Sequence, residues 1–166
     1  MVFGLFSSPP LRIARGLEIF LKVSFLNMAK YEENNPVFQV LTKAVHEVVL
    51  CYNTMPNAYR MMFGRTICQE IGECGTYLNE TIFQKNPSTM IRKLEVADHH
   101  LQNVKFWVNQ APNMSYIAKD GIVKYSIPLE RSACCSKTLK ELGCLIGGWQ
   151  STLYDRKGGS VQQSRA

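Results

Sequence analysis

Leu139-Lys140-Glu141-Leu142-Gly143-Cys144-Leu145-Ile146-Gly147-Gly148-Trp149 decides the fold. Around it Cys135, Leu139, Leu142, Ile146, Trp149 and Leu153 recur four and three residues apart, the seam spacing of a helix packed nearly parallel to its neighbours. Gly143, Gly147 and Gly148 oppose that helix, each by about 0.8 to 1 kcal/mol relative to alanine. Each fully buried Leu or Ile contributes about 1.5 to 3 kcal/mol, so burial wins if a partner surface exists. The glycines then read as places where another backbone comes close, with fraying before Trp149 as the alternative.

Upstream, three more amphipathic segments supply that surface. Asn34-Asn35-Pro36 is a helix start, and Val37, Val40, Leu41, Ala44, Val45, Val48 and Tyr52 follow at helical spacing until Pro56 stops the run. A second helix is expected from Ala58 to Phe83, with Tyr59, Phe63, Ile67, Ile71, Cys74, Leu78 and Ile82 on one face. A third is expected from Thr89 to Gln110 behind a Ser88 cap, with Leu94, Ala97, Leu101, Val104 and Val108 as its seam. Phe106 and Trp107 lie beside that seam and widen the apolar surface beyond what one bundle needs. Residues 111–127 lack helical period. Lys119-Asp120-Gly121 between Tyr116-Ile117 and Ile122-Val123 fits a small hairpin or a plain loop, and the loop is the preferred reading. Pro128 and Glu130 suit the first turn of the fourth helix, expected to end near Tyr154. Short connections between four helices predict an all-α, antiparallel up-down-up-down four-helix bundle.

The bundle domain is assigned to residues 31–155, with a basic, frayed tail over 156–166. Residues 1–30 read as an N-terminal extension. Leu11 to Leu26 can make one amphipathic helix, and Met28 is an alternative start for the compact domain. Pro9-Pro10 and the missing small-residue cleavage site argue against a secretory signal, and no stretch is apolar enough to span a bilayer. Six cysteines without a C-x-x-C read as free thiols in a reducing cytosol, so the expected location is cytoplasmic and no membrane partner is expected.

Net charge is +6. Residues 31–126 balance nine basic against nine acidic side chains, so the excess lies at the two ends. No continuous basic stripe is visible, although oligomerisation can assemble one.

No catalytic constellation emerges from the residue spacing. A di-metal carboxylate bundle needs Glu-x-x-His pairs, but Glu95 is followed at that spacing by Asp98, and His46 has no Glu three before it. His99 and His100 are consecutive and cannot share one site. No phosphate loop, nucleophile elbow or zinc-protease helix is present. The expectation is a protein that is not an enzyme, with no metal and no cofactor. What remains is basic residues interleaved with aromatics: Tyr59-Arg60 and Arg65 on the second helix, Arg92, Lys93 and Lys105 on the third, Lys137 and Lys140 on the fourth. Each is by itself most often a solvated charge.

Four stretches carry a resemblance. Met55-Pro56-Asn57-Ala58-Tyr59-Arg60, Phe63-Gly64-Arg65-Thr66-Ile67, Lys93-Leu94-Glu95-Val96-Ala97-Asp98 with Val104-Lys105-Phe106-Trp107, and Glu141-Leu142-Gly143-Cys144-Leu145-Ile146-Gly147-Gly148-Trp149 are similar to the accessory variability determinant (Avd) proteins of diversity-generating retroelements. These belong to a wider bacterial four-helix family named after an open reading frame within ribosomal RNA intervening sequences. The resemblance covers residues 36–155. It implies a barrel-like homopentamer with a basic surface, binding the retroelement's reverse transcriptase and nucleic acid, either template RNA or complementary DNA. The function so implied is that of an accessory protein supporting mutagenic retrohoming.

On that account Arg60, Arg65, Arg92, Lys93, Lys105, Lys137 and Lys140 are the nucleic-acid-binding candidates, and Phe106, Trp107, Gly143, Gly147 and Trp149 the oligomer-interface candidates. The chain departs from the family pattern at Asn57, Asn109 and Cys144, where relatives often carry a basic residue. The competing expectation is an oligomeric scaffold of the wider family without a nucleic-acid role. A metalloenzyme is the third.

Overall fold

Both Asn-Pro pairs start helices by the same device. In α1 (Pro36–Thr54) the Asn35 side chain accepts from the Val37 amide at 3.0 Å, and in α3 (Pro87–Gln110) Asn86 accepts from Ser88 at 2.9 Å. In each, proline occupies the first turn, where a missing N–H costs nothing. The cap of the third helix is therefore Asn86, two residues earlier than the serine expected from sequence. The computed structural model describes residues 35–117 and 121–163, with side chains described as far as Arg156 in the last helix. The expected extension over residues 1–30 lies outside the described residues.

Pro56 ends α1 as expected, holding Met55 extended at φ −68° and ψ 140°. A helical turn (Asn57–Tyr59) and a π-helical segment (Arg60–Gly64) then lead into α2 (Arg65–Ile82). Hydrophobic spacing alone predicts one unbroken helix here. The wider π turn coincides with a close approach to α1: an added Cβ at Gly64 would sit 3.0 Å from both the Met55 Sδ and the Tyr52 ring.

The last helix, α4 (Leu129–Gln163), runs past the expected end at Tyr154. A formed helix adds one hydrogen bond per residue, and no proline interrupts the stretch, so Gly158-Gly159 does not stop its backbone. Residues 164–166 of the expected tail lie outside the described residues.

Packing joins α2 to α3, α3 to α4, α4 to α1 and α1 to α2. Late residues of α2 meet early residues of α3: Glu80 with Lys93, then Glu70 with His100 and Asn103. The seam residues expected on α1 and α3, and those on α4 except Trp149, are buried, and Leu41, Ile71, Leu78, Leu94, Leu101, Leu139, Leu142 and Ile146 are completely so. Tyr59, Ile82 and Trp149 are half-buried.

Between α3 and α4 the structure makes a hairpin where the sequence favours a loop. β1 (Ser115–Ile117) pairs antiparallel with β2 (Val123–Tyr125), Tyr116 lying opposite Lys124. Gly121 adopts φ 77°, a left-handed conformation that residues with a Cβ rarely take. Long-range contacts, not strand propensity, hold the hairpin in place. Tyr116 packs on Tyr59 at 5.9 Å between ring centroids, the Ser126 amide donates to the Met114 carbonyl at 2.9 Å, and the buried Ser126 hydroxyl donates to the Ala111 carbonyl. Ser132 similarly donates to the Val108 carbonyl at 2.8 Å, in the last turn of α3, where the helix's own amides run out.

Candidate nucleic-acid interface

The seven cations chosen from sequence divide by what they touch. Arg60 is committed to the end of α1. Its Nε donates to the Tyr52 carbonyl at 3.1 Å, its guanidinium donates to the Asn53 carbonyl at 2.7 Å, and its charge lies 5.6 Å from the Tyr52 ring centre. A guanidinium placed there satisfies two last-turn carbonyls and offsets the negative end of the helix dipole. Lys93 is also engaged within the fold, paired with Glu80 and lying 5.8 Å from the Tyr77 ring centre. Arg65 and Arg92 are exposed, but on α2 and the early turns of α3 respectively. Those four do not form one surface.

The other three lie on the two helices, α3 and α4, that pack along one seam. Lys105 on α3 reaches across to α4, where an added Cβ at Gly143 would meet its Nζ at 2.6 Å and the Leu101 side chain at 3.5 Å. Gly143 is thus the place where a lysine stem crosses a neighbouring helix. Lys140, three residues before Gly143, and Lys137, three before that, are exposed on the same run of α4. Between them and α3, the Ser136 hydroxyl donates to the Asn109 side chain at 2.7 Å. The seam between α3 and α4 thus carries Lys105 across Gly143 and the Ser136–Asn109 clasp, with Lys137 and Lys140 exposed on α4. Glu141 is the acidic neighbour on the same exposed stretch of α4.

The expected oligomer-interface residues also separate. Gly147, like Gly148, has nothing within 4 Å of where a Cβ would stand, so both sit on an open face of α4. Gly143 has a partner inside the same chain. Trp107 is half-buried and stacks on Phe63, with centroids 5.9 Å apart and planes 8° apart, continuing a chain of rings from Tyr116 through Tyr59. Phe106 meets Trp107 edge-on at 5.2 Å and remains 55% exposed. Trp149 is half-buried.

Two features escape a reading of the sequence. Alternation in strands of three residues is too short to assign faces, yet pairing puts Ile117, Val123 and Tyr125 on one exposed apolar face of the hairpin. Met61 and Met62 in the π segment are likewise exposed. His100, which the sequence presents only as one of two consecutive histidines, is clamped between helices: its Nδ1 lies 2.8 Å from the Glu70 carboxylate, which also accepts from Asn103 at 3.1 Å, and its ring stacks on Tyr77. Burial pushes the Glu70 carboxyl up, but hydrogen bonds from His100 and Asn103 and the nearby His100 and His99 outweigh it and leave it below its ordinary value. Among the described residues no three His, Cys, Asp or Glu side chains gather as a metal site, and no helix is long and apolar enough to cross a membrane. Comparison with protein-family models, curated proteins and solved structures finds no match.

Proposed function

We propose that this chain is a non-enzymatic nucleic-acid-binding adaptor of the kind its resemblance to Avd proteins implies, working without cofactor or metal in the cytoplasm. In this reading the protomer is an up-down-up-down bundle that assembles as a barrel-like homopentamer and engages a reverse transcriptase together with RNA or DNA. The observation carrying the nucleic-acid part is the placement of Lys105 across Gly143 at the α3–α4 seam, with Lys137 and Lys140 exposed on the preceding turns of α4. Repetition of that seam around a ring multiplies the phosphate contacts, whose effects on affinity add. Exposed Phe106 and the open faces of Gly147 and Gly148 support assembly through surface that one protomer leaves uncovered.

The test measures retention of a single-stranded RNA against salt, beside the oligomer mass. Binding is expected to fall steeply as salt rises. Replacing Lys105, Lys137 and Lys140 together with glutamate is expected to abolish retention without changing the oligomer mass. Removing a single cation from a phosphate flattens the slope of log affinity against log salt by about 0.7 for a single strand. A folded oligomer that binds no RNA, or binds it with no salt dependence, overturns the reading.

A scaffold without a nucleic-acid role is the second reading. It is favoured by Arg60 and Lys93 serving internal contacts, which reduces the cations available for phosphate. Under it the triple charge reversal leaves function intact.

A further inference from the structure

Neither the bundle seam nor the proposed surface makes chemical use of two thiols in the core. Cys51 on α1 and Cys135 on α4 are free and completely buried. The Cys51 Sγ lies 3.8 Å from the Arg131 carbonyl. Arg131 precedes Cys135 by one helical turn, so in regular helix this carbonyl accepts the Cys135 amide and points along α4 toward it. The two thiol groups are themselves in hydrogen-bonding contact. Cys135 donates in that contact, which stabilises a Cys51 thiolate and holds Cys51 below the usual thiol range; the same contact, with burial, pushes Cys135 up. Arg131 and Glu47, 3.8 Å apart, both act on Cys51, with opposite signs. Cys68 is the nearby alternative partner, pushed up to about 12 by burial and by Cys51.

We propose that Cys51 and Cys135 form a modification site at which a hydroperoxide closes an intramolecular disulfide between α1 and α4. Cys51 is the attacking sulfur. As thiolate it takes the distal oxygen of the hydroperoxide, breaking the O–O bond and becoming a sulfenic acid. The departing oxygen, with the proton released from the Cys51 thiol, leaves as water or an alcohol. Cys135 is the resolving sulfur: its thiolate attacks the Cys51 sulfur, the S–O bond breaks, and the hydroxyl takes the Cys135 proton and leaves as water. The pair loses two electrons and the hydroperoxide gains them. Complete burial makes entry depend on local opening of the α1–α4 seam, so the reaction is slow relative to oxidation of the exposed Cys134 and Cys144. Once formed, the bond ties the first described helix to the last and blocks further opening. None of this depends on nucleic-acid binding.

The test uses the full chain. Exposed Cys134 and Cys144 are first alkylated under native conditions, and the protein is then incubated with hydrogen peroxide. It is digested without reductant and its peptides are weighed. A Cys51–Cys135 linked peptide that dithiothreitol removes, together with a raised thermal midpoint of the oxidised protein, is the expected result. Cys51→Ser is expected to lose the linked peptide, and Cys68→Ser to keep it. Unmodified Cys51 and Cys135 after prolonged exposure, a Cys51–Cys68 link in their place, or Cys51 trapped as sulfinic acid beside a reduced Cys135 would each overturn the proposal.

Discussion

Replacing Gly143 with alanine sets a backbone gain against a single movable contact. An interior helical glycine is about 0.8 to 1 kcal/mol less favourable than alanine. The new methyl would stand 3.5 Å from the Leu101 Cδ2, an ordinary van der Waals separation, and 3.6 Å from the Lys105 Cε. Only the Lys105 Nζ, at 2.6 Å, is too close, and it ends a flexible four-carbon stem that swings aside at little cost. The expected net effect is stabilisation by about 0.5 to 1 kcal/mol, or roughly 1 to 4 °C in thermal midpoint for a chain of this size. Urea unfolding with an unchanged m-value measures it. Gly147→Ala, with nothing within 4 Å of the new methyl, is the control and is expected to gain a similar amount in the isolated protomer. A loss of more than about 1 kcal/mol at Gly143 beside a gain at Gly147 would refute the reasoning, because it would mean that Lys105 is pinned in its crossing.

Three further outcomes follow from the same geometry. Gly64→Ala is expected to destabilise by about 1 kcal/mol or more in urea unfolding, opposite in sign to Gly143→Ala, because the methyl meets a buried ring and the Met55 sulfur at 3.0 Å. Arg60→Ala is expected to cost about 1 kcal/mol by the same measurement, since it removes two hydrogen bonds from charged nitrogens to the end of α1, and Arg60→Lys is expected to recover only part, lacking the guanidinium fork. Glu70 titrates below the ordinary 4.5, so its contribution to stability is present above that pH and is lost as pH falls through the lower folded value. Glu70→Gln is therefore expected to flatten the acid limb of stability against pH below about 4.5, measured by thermal unfolding, while changing little of its shape above that pH.

Helix number, seam and the Asn35-Pro36 start were legible because they are local, whereas the Asn86-Pro87 start was read two residues late, at Ser88. A cap acts over two residues, and a 3.6-residue period declares a buried face whatever that face is buried against. Leu94, Leu101, Leu139 and Ile146 illustrate this: their spacing alone marked them, and each is completely buried. The path of the last helix beyond Tyr154 was not legible, because paired glycines read as a stop unless helix propagation outweighs them.

For the candidate surface, sequence determined which residues carry positive charge but not what each charge touches. Arg60 and Lys105 are equivalent in a string of letters. Tertiary structure turned the first onto two carbonyls of α1 and laid the second across Gly143 of α4. The same holds for the hairpin, fixed by the Tyr116–Tyr59 contact and the Ser126 bonds, and for Cys51 and Cys135, brought together from 84 residues apart. Local spacing encodes amphipathic helices because neighbours along the chain set it. Which side chains meet across helices depends on packing between distant segments, and only the folded bundle decides it.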